Sequence, residues 1–391
     1  MTTPVPADPI DVLRSRTSEK WAEHPDDVLP MFVAEMDYPL AEPIRRALHA
    51  AIDRGDAGYV ASTNPLLPAF TGYAHRRWGW DLSTATLLST ADVSMGIVEI
   101  LRRVTSPGDR VVITPPVYPP FFDLVTEAGA SVLPVPLADQ AGGLRLDLDA
   151  LESAFAAGAS AFVLCNPHNP LGHPHSASDL AHVAELAARY RVTVISDEIH
   201  APLTQPGATF TPYLAASSLA AATGFAVHSA SKAWNIAGLK CAVMVAVGAA
   251  PASVLTAMPS EVTWRTGQFG VLASAAAYAH GQDWLDGVLA SIASNLDLLD
   301  SLLRTHLPDV TWTRPEASYL VWLDFRGRGW GDDPSRRILR DARVALSSGP
   351  EFGVPGIGRA RMNIACSPAL LEEAIRRIAA IPSGQADDAG E

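Results

Sequence analysis

The chain has 391 residues, 48% of them apolar and 18% charged, enough to bury more core than a single average domain holds. Against 29 Lys and Arg stand 42 Asp and Glu, a formal charge of -13, which excludes a phosphate-tracking basic face and with it a nucleic-acid partner. The three cysteines, Cys165, Cys241 and Cys366, lie far apart and form no CxxC pair, so a reducing compartment is expected and cytoplasm is the default.

The N-terminal "MTTPVPADPIDVLRSR" has no basic stretch followed by an apolar one, so no secretory signal is expected. The first 45 residues carry apolar pieces too short to fold alone, and should pack on a second unit or across a subunit boundary. From there the spacing predicts helices over 64–78, 97–104, 148–157 and 177–190. Between them lie short, nearly continuous apolar runs: "RVVIT" (110–114), "SVLPV" (131–135), "AFVLC" (161–165), "VTVIS" (192–196), "FAVHS" (225–229) and "AVMVAV" (242–247). Strands buried on both faces read this way, and their alternation with helices predicts an α/β fold with a mainly parallel sheet. The most apolar run, from Cys241, is too short for a bilayer, and no membrane span is expected. After about residue 268 long amphipathic stretches, "YLVWLDF" and a helix near 369–380 point to a smaller α+β unit. The expected division is 46–275 for the larger domain and 1–45 with 276–391 for the smaller, the tail 382–391 being disordered.

In an open parallel sheet, ligands bind beyond the carboxyl ends of the strands. The residues just past these runs are unusually reactive: Tyr118 in "PPVYPP", Asn169 in "NPHNPLG", Asp197 in "DEIH" and Lys232 in "ASK". A lone lysine is ordinarily a surface charge. Here one follows a buried strand, with a carboxylate ending another strand and serines at 229 and 231. An amine for an aldehyde, a carboxylate for a pyridinium and hydroxyls for a phosphate are the partners pyridoxal 5'-phosphate (PLP) needs. Lys240 adds a cation, and Gly96, opening a helical run in "DVSMGIVEIL", adds a helix N-terminus that favours an anion.

These motifs together resemble fold-type I PLP enzymes, the aspartate aminotransferase superfamily, and within it the cystathionine β-lyase group typified by MalY and PatB. "VLPMFVAEMDYPL", "GDRVVITPPVYPPFF", "LCNPHNPLG", "VISDEIHAPL", "SASKAWNIAGLK" and "RMNIACSP" fall in the family's order over nearly the whole chain. The resemblance implies a seven-stranded sheet in the larger domain, a homodimer with shared active sites, and roles for single residues. Lys232 would bond the cofactor aldehyde, Asp197 the pyridine nitrogen and Asn169 the ring's phenolic oxygen, while Tyr118 would stack on the ring. Gly96 and Ile97 would offer backbone N–H groups to the phosphate, alongside Ser229, Ser231 and Lys240, and Tyr59 would reach the neighbouring subunit's phosphate. Arg361 would clamp the substrate carboxylate as a bidentate fork, with Asn169 beside it. Glu35, Pro202 and Trp234 depart from the family's usual residues at their positions, which leaves substrate preference open; His200 would be either a hydrogen-bond partner of a site residue or itself a reacting group.

By the same resemblance the activity is carbon–sulfur β-elimination from cystathionine, cysteine or S-substituted cysteines, giving pyruvate, ammonia and a thiol. Transamination by the same residues is the alternative. Three rivals compete less well. Ser229 and Lys232 spell SxxK, but the other elements of that acyl-transfer machinery are missing downstream. His168, His173 and His175 lack an acidic or cysteine co-ligand at metal spacing, so no metal is expected. A regulatory binding role would need a surface patch that sequence does not reveal.

Overall fold

The computed structural model describes residues 3–140 and 142–384, so most of the tail expected at 382–391 lies outside the described residues. Two compact units emerge. The larger comprises Leu40–His168 and His173–Leu285; the smaller takes the chain up to Pro39, the turn Asn169–Gly172 and the chain from Asp286 onward.

The larger unit is built on seven strands: β1 (Thr86–Thr90), β2 (Arg110–Ile113), β3 (Ser131–Pro134), β4 (Ala161–Cys165), β5 (Thr193–Asp197), β6 (Gly224–His228) and β7 (Ala242–Ala246). They lie in the order β1-β7-β6-β5-β4-β2-β3, with β7 antiparallel to both of its neighbours and the pairs from β6 to β3 parallel. Every residue of β4, β6 and β7 is buried, which is why each reads as an unbroken apolar run. The edge strands differ. β3 is half-exposed and ends on Pro134, a residue that a central strand would not tolerate. β1, "TLLST", is half-buried along most of its length and was not legible among the apolar runs.

Helices Leu66–Trp78, Leu148–Ala156 and Ala177–Tyr190 fall within two residues of their expected bounds. The helix expected at 97–104 begins earlier, at Val93, because the Asp92 carboxylate accepts the Met95 N–H at 2.8 Å and caps it. Its buried face, Ile97, Ile100 and Leu101, packs in one cluster with Val111, Ile113, Val163, Ile195, Val227 and Met244 from five strands. Glu42–Asp53 packs on Gln268–His280, so the first boundary falls before residue 42 rather than after residue 45.

In the smaller unit, β8 (Thr311–Trp312), β9 (Leu320–Asp324), β10 (Ser347–Ser348) and β11 (Arg359–Asn363) form an antiparallel sheet in the order β8-β9-β11-β10. Helix Pro368–Ala379 follows, capped by the Ser367 hydroxyl. The N-terminal segment joins this unit: Leu29–Pro30 pairs with Val344–Ala345, and the Asn363 amide donates to the Met31 carbonyl at 2.8 Å. Gly172 explains why a four-residue turn belongs here. Its φ is +67°, a Cβ on it would stand 2.5 Å from Pro315 Cβ, and its carbonyl accepts the N–H groups of Glu316 and Ala317 at 2.7 Å. Among the described residues no helix is long and apolar enough to cross a membrane.

Candidate active site

Because β4, β5 and β6 run parallel, their carboxyl ends lie along one edge of the larger unit's sheet, and the chemistry follows that edge. Asp197 ends β5. It is 5% exposed, and its Oδ1 accepts the Ile199 N–H at 3.1 Å. Burial raises its pKa from 3.8 to about 7; the neighbouring Glu198 charge adds to this, while the Ile199 N–H and the Lys232 ammonium pull the other way. A carboxylate buried at this cost, within the field of a lysine, is arranged for a cationic partner.

Ser229, Ser231 and Lys232 follow β6 directly. Ser229 Oγ lies 2.6 Å from the Cys241 carbonyl oxygen and 2.7 Å from Ser231 Oγ, and it accepts the Ser231 N–H at 3.1 Å. These contacts hold closed the turn that carries Lys232. Lys240 precedes β7 in a left-handed conformation, with Nζ 3.1 Å from Asp92 Oδ2. The cation and the cap of helix Val93–Val104 are therefore one assembly.

That helix corrects two expectations. Gly96 is its fourth residue, and its N–H donates to the Asp92 carbonyl at 3.0 Å. Ile97 lies one residue deeper, where N–H groups are spent on the helix ladder, so neither is a free phosphate donor. Gly96 is a glycine for packing: a Cβ there would stand 3.0 Å from Val227 Cγ1 and 3.3 Å from Met244 Cγ and Thr90 Cγ2. The donors that remain are the first-turn N–H groups of Val93 and Ser94, which have no backbone acceptor among the described residues. The signal that could have found them is Asp92, a capping residue ahead of the apolar run.

Tyr118 is half-buried, edge-on to Phe121 with ring centroids 5.8 Å apart. Tyr59 is 92% exposed. His200 is buried just ahead of the short helical turn Ala201–Leu203, which includes Pro202. Trp234 is a core residue, its Nε1 donating to the Gly281 carbonyl at 3.0 Å. The three histidines of the 165–175 loop are also core. His168 Nε2 lies 2.8 Å from the Pro116 carbonyl and His175 Nε2 3.0 Å from that of Cys165, while His173 Nδ1 lies 3.4 Å from Arg145. Among the described residues no three His, Cys, Asp or Glu side chains are placed to share a metal ion.

Within the smaller unit, Arg361 on β11 is held from four sides. Nη1 donates to Asn169 Oδ1 at 3.1 Å, Nη2 to the Phe32 carbonyl at 3.1 Å and to Ser347 Oγ at 3.0 Å, and the guanidinium lies 5.1 Å from the centre of the Phe352 ring. It is 7% exposed. A fork so anchored is rigid and suited to a carboxylate. Glu35 in the same unit accepts the Ser18 hydroxyl at 2.6 Å.

The donor set of the larger unit fits PLP on these observations: a buried acid for the ring nitrogen, an amine in its field, and two hydroxyls, a lysine and a helix N-terminus for a phosphate dianion. The comparisons agree. The family model "Aminotransferase class I and II" matches residues 29–378. A Mycobacterium leprae protein provisionally named a cystathionine beta-lyase is 44% identical, covering 94% of this chain and 96% of that one. The cystathionine beta-lyase PatB of Bacillus subtilis is 36% identical, over 90% and 92% of the two chains. Among solved structures, a Corynebacterium diphtheriae protein provisionally named a PLP-dependent beta-cystathionase superposes with a TM-score of 0.91 at 33% identity, covering 98% of this chain and all of that one.

Proposed function

Because the chain belongs to the class I and II aminotransferase family, we infer that it is a PLP-dependent carbon–sulfur β-lyase acting on cystathionine, cysteine or S-substituted cysteines. The observation that carries the cofactor is the buried Asp197 in the field of Lys232. The preference for sulfur substrates is supported by relatives named cystathionine beta-lyase at 33–44% identity.

When bound, PLP supplies an aldehyde that takes the substrate amine and an electron-poor ring that stores the electron pair released at Cα. Asp197 would hold the ring nitrogen in its protonated form. Lys232 would hold the cofactor aldehyde through Nζ and would serve as the general base for the substrate's Cα proton. By the family resemblance, Asn169 would serve the ring's phenolic oxygen and Tyr118 would hold the ring. Ser229, Ser231, Lys240 and the N–H groups of Val93 and Ser94 hold the phosphate. By the family resemblance, Arg361 would bind the α-carboxylate, and the side-chain sulfur would depart as thiolate. The products are a thiol, pyruvate and ammonia, with water consumed and no keto acid needed.

We further propose a homodimer in the cytoplasm, with Tyr59 of each subunit completing its neighbour's phosphate site. An almost fully exposed tyrosine has no packing role within its own chain, which supports this reading.

The test is incubation of the yellow protein with cystathionine, with and without 2-oxoglutarate. Pyruvate and thiol form equally in both, and borohydride adds the cofactor's mass to the peptide carrying Lys232. Strict dependence on the keto acid would replace the lyase by an aminotransferase.

A further inference from the structure

Behind the edge that carries Asp197 and Ser229 lies a second pair of titratable groups that the proposed reaction does not use. Glu198 Oε2 and His228 Nε2 are 2.9 Å apart, at side-chain exposures of 0% and 1%, a close ion-pair contact that is not aligned as a hydrogen bond. Glu198 is tied on its other oxygen as well: Oε1 accepts the Ser196 hydroxyl at 2.9 Å and the Tyr213 N–H at 2.7 Å, and its own N–H donates to the Val227 carbonyl at 2.9 Å. His228 sits among aromatic rings, with centroids of Phe70 at 4.9 Å, Trp78 at 5.4 Å and nearly stacked, and Trp80 at 5.7 Å. Burying a carboxylate and an imidazole so completely is costly unless they answer each other, and removing one partner strands the other.

Their places in the chain give the pair its consequence. Glu198 is the residue after Asp197, and His228 is the residue before Ser229, on neighbouring strands with Asp197 in register with Val227. Side chains alternate along a strand, so Glu198 holds the rear of the peptide whose front bears Asp197, and His228 does the same for the turn that bears Ser229, Ser231 and Lys232. We propose that Glu198 and His228 are a buried positioning pair that locks the carboxyl ends of β5 and β6 together and so fixes Asp197 against the pyridine nitrogen and Ser229 against the phosphate. Neither touches cofactor or substrate. The Glu198 charge also raises the proton affinity of Asp197, so the pair acts electrostatically as well as sterically. This inference rests on the PLP reading of the site.

The test uses Glu198→Gln, which keeps an acceptor for Ser196 and Tyr213 but loses the charge facing His228, together with His228→Gln and the double variant. PLP affinity is measured by quenching of tryptophan fluorescence, ring orientation by visible circular dichroism per mole of bound PLP, and folding by the melting temperature of the PLP-free protein. Each single variant binds PLP at least tenfold more weakly with altered dichroism, while the double variant is no more than threefold worse than the weaker single, the non-additivity of a coupled pair. Should Glu198→Gln fail to fold, His228→Gln reads the same quantities. Single variants that bind within twofold of the parent, or losses that multiply in the double, overturn the proposal. Failure of the parent itself to bind PLP overturns the cofactor reading instead.

Discussion

Asp197 shows how one residue sets stability and function against each other. Burial raises its folded pKa to about 7, whereas an unfolded carboxyl titrates at 3.8, so between those values the folded chain holds a proton that the unfolded chain has released. Stability from this group is present at low pH and is lost as pH rises through about 7. Asp197→Asn in the PLP-free protein should therefore raise the melting temperature most above pH 7, less at pH 5, and hardly at all below pH 3.8. In the loaded protein the same substitution should weaken PLP binding and cut turnover by about 10²-fold or more, because no charge is left to hold the ring cationic. Melting scans at two pH values, with and without PLP, separate the effects. Asp197 and Lys232 were legible from sequence because each follows a strand whose apolar run announces its own end. Gly96 and Ile97 differ for an equally local cause: a glycine ahead of an apolar run reads as a helix start, whereas Asp92 four residues earlier is the cap and Gly96 is small to let the helix lie on the sheet.

Two elements carry predictions of their own. Asp92 both caps helix Val93–Val104 and pairs with Lys240. Asp92→Ala should cost about 1 kcal/mol from the lost cap, read from urea unfolding, and free Lys240, so PLP affinity should stay the same or rise. A fall of more than tenfold would show that the cap is needed to aim the first-turn N–H groups. The loop 165–175 behaves differently. Burial lowers the pKa of His168 to about 4 and of His175 to about 3, and lowers that of His173 further, whereas unfolded histidines titrate near 6.5. The unfolded chain therefore takes up protons first as pH falls, so stability is fully present above pH 6.5 and declines below it, by up to about 1.4 kcal/mol per pH unit for each histidine. Urea midpoints between pH 7.5 and 5 should fall along this slope, and His168→Asn should make it shallower. Sequence shows that these histidines lack co-ligands at metal spacing but could not place them in the core, because their partners are backbone carbonyls of Pro116 and Cys165 that leave no trace in residue identity.

At the scale of the whole molecule, Tyr59 offers the clearest prediction. With 92% of its surface exposed it has little to lose on truncation, so Tyr59→Phe should leave the melting temperature of the PLP-free protein unchanged and raise the PLP dissociation constant about tenfold, with sedimentation still reporting a dimer. A variant binding PLP as the parent does would remove Tyr59 from the site. The runs that form β2 to β7 and the helices Leu66–Trp78, Leu148–Ala156 and Ala177–Tyr190 followed from sequence alone, since a strand buried on both faces must be apolar throughout and must give way to polar residues where it leaves the core. What tertiary structure decided are relations between distant segments: that β1 closes the sheet, that Gly172 must be glycine because Pro315 crowds it, that the Phe32 carbonyl, Ser347 and Asn169 all grip Arg361, and that Glu198 meets His228. Such contacts depend on register and distance between segments far apart in the chain, and one-dimensional pattern carries the demand for burial but not the identity of the neighbour that meets it.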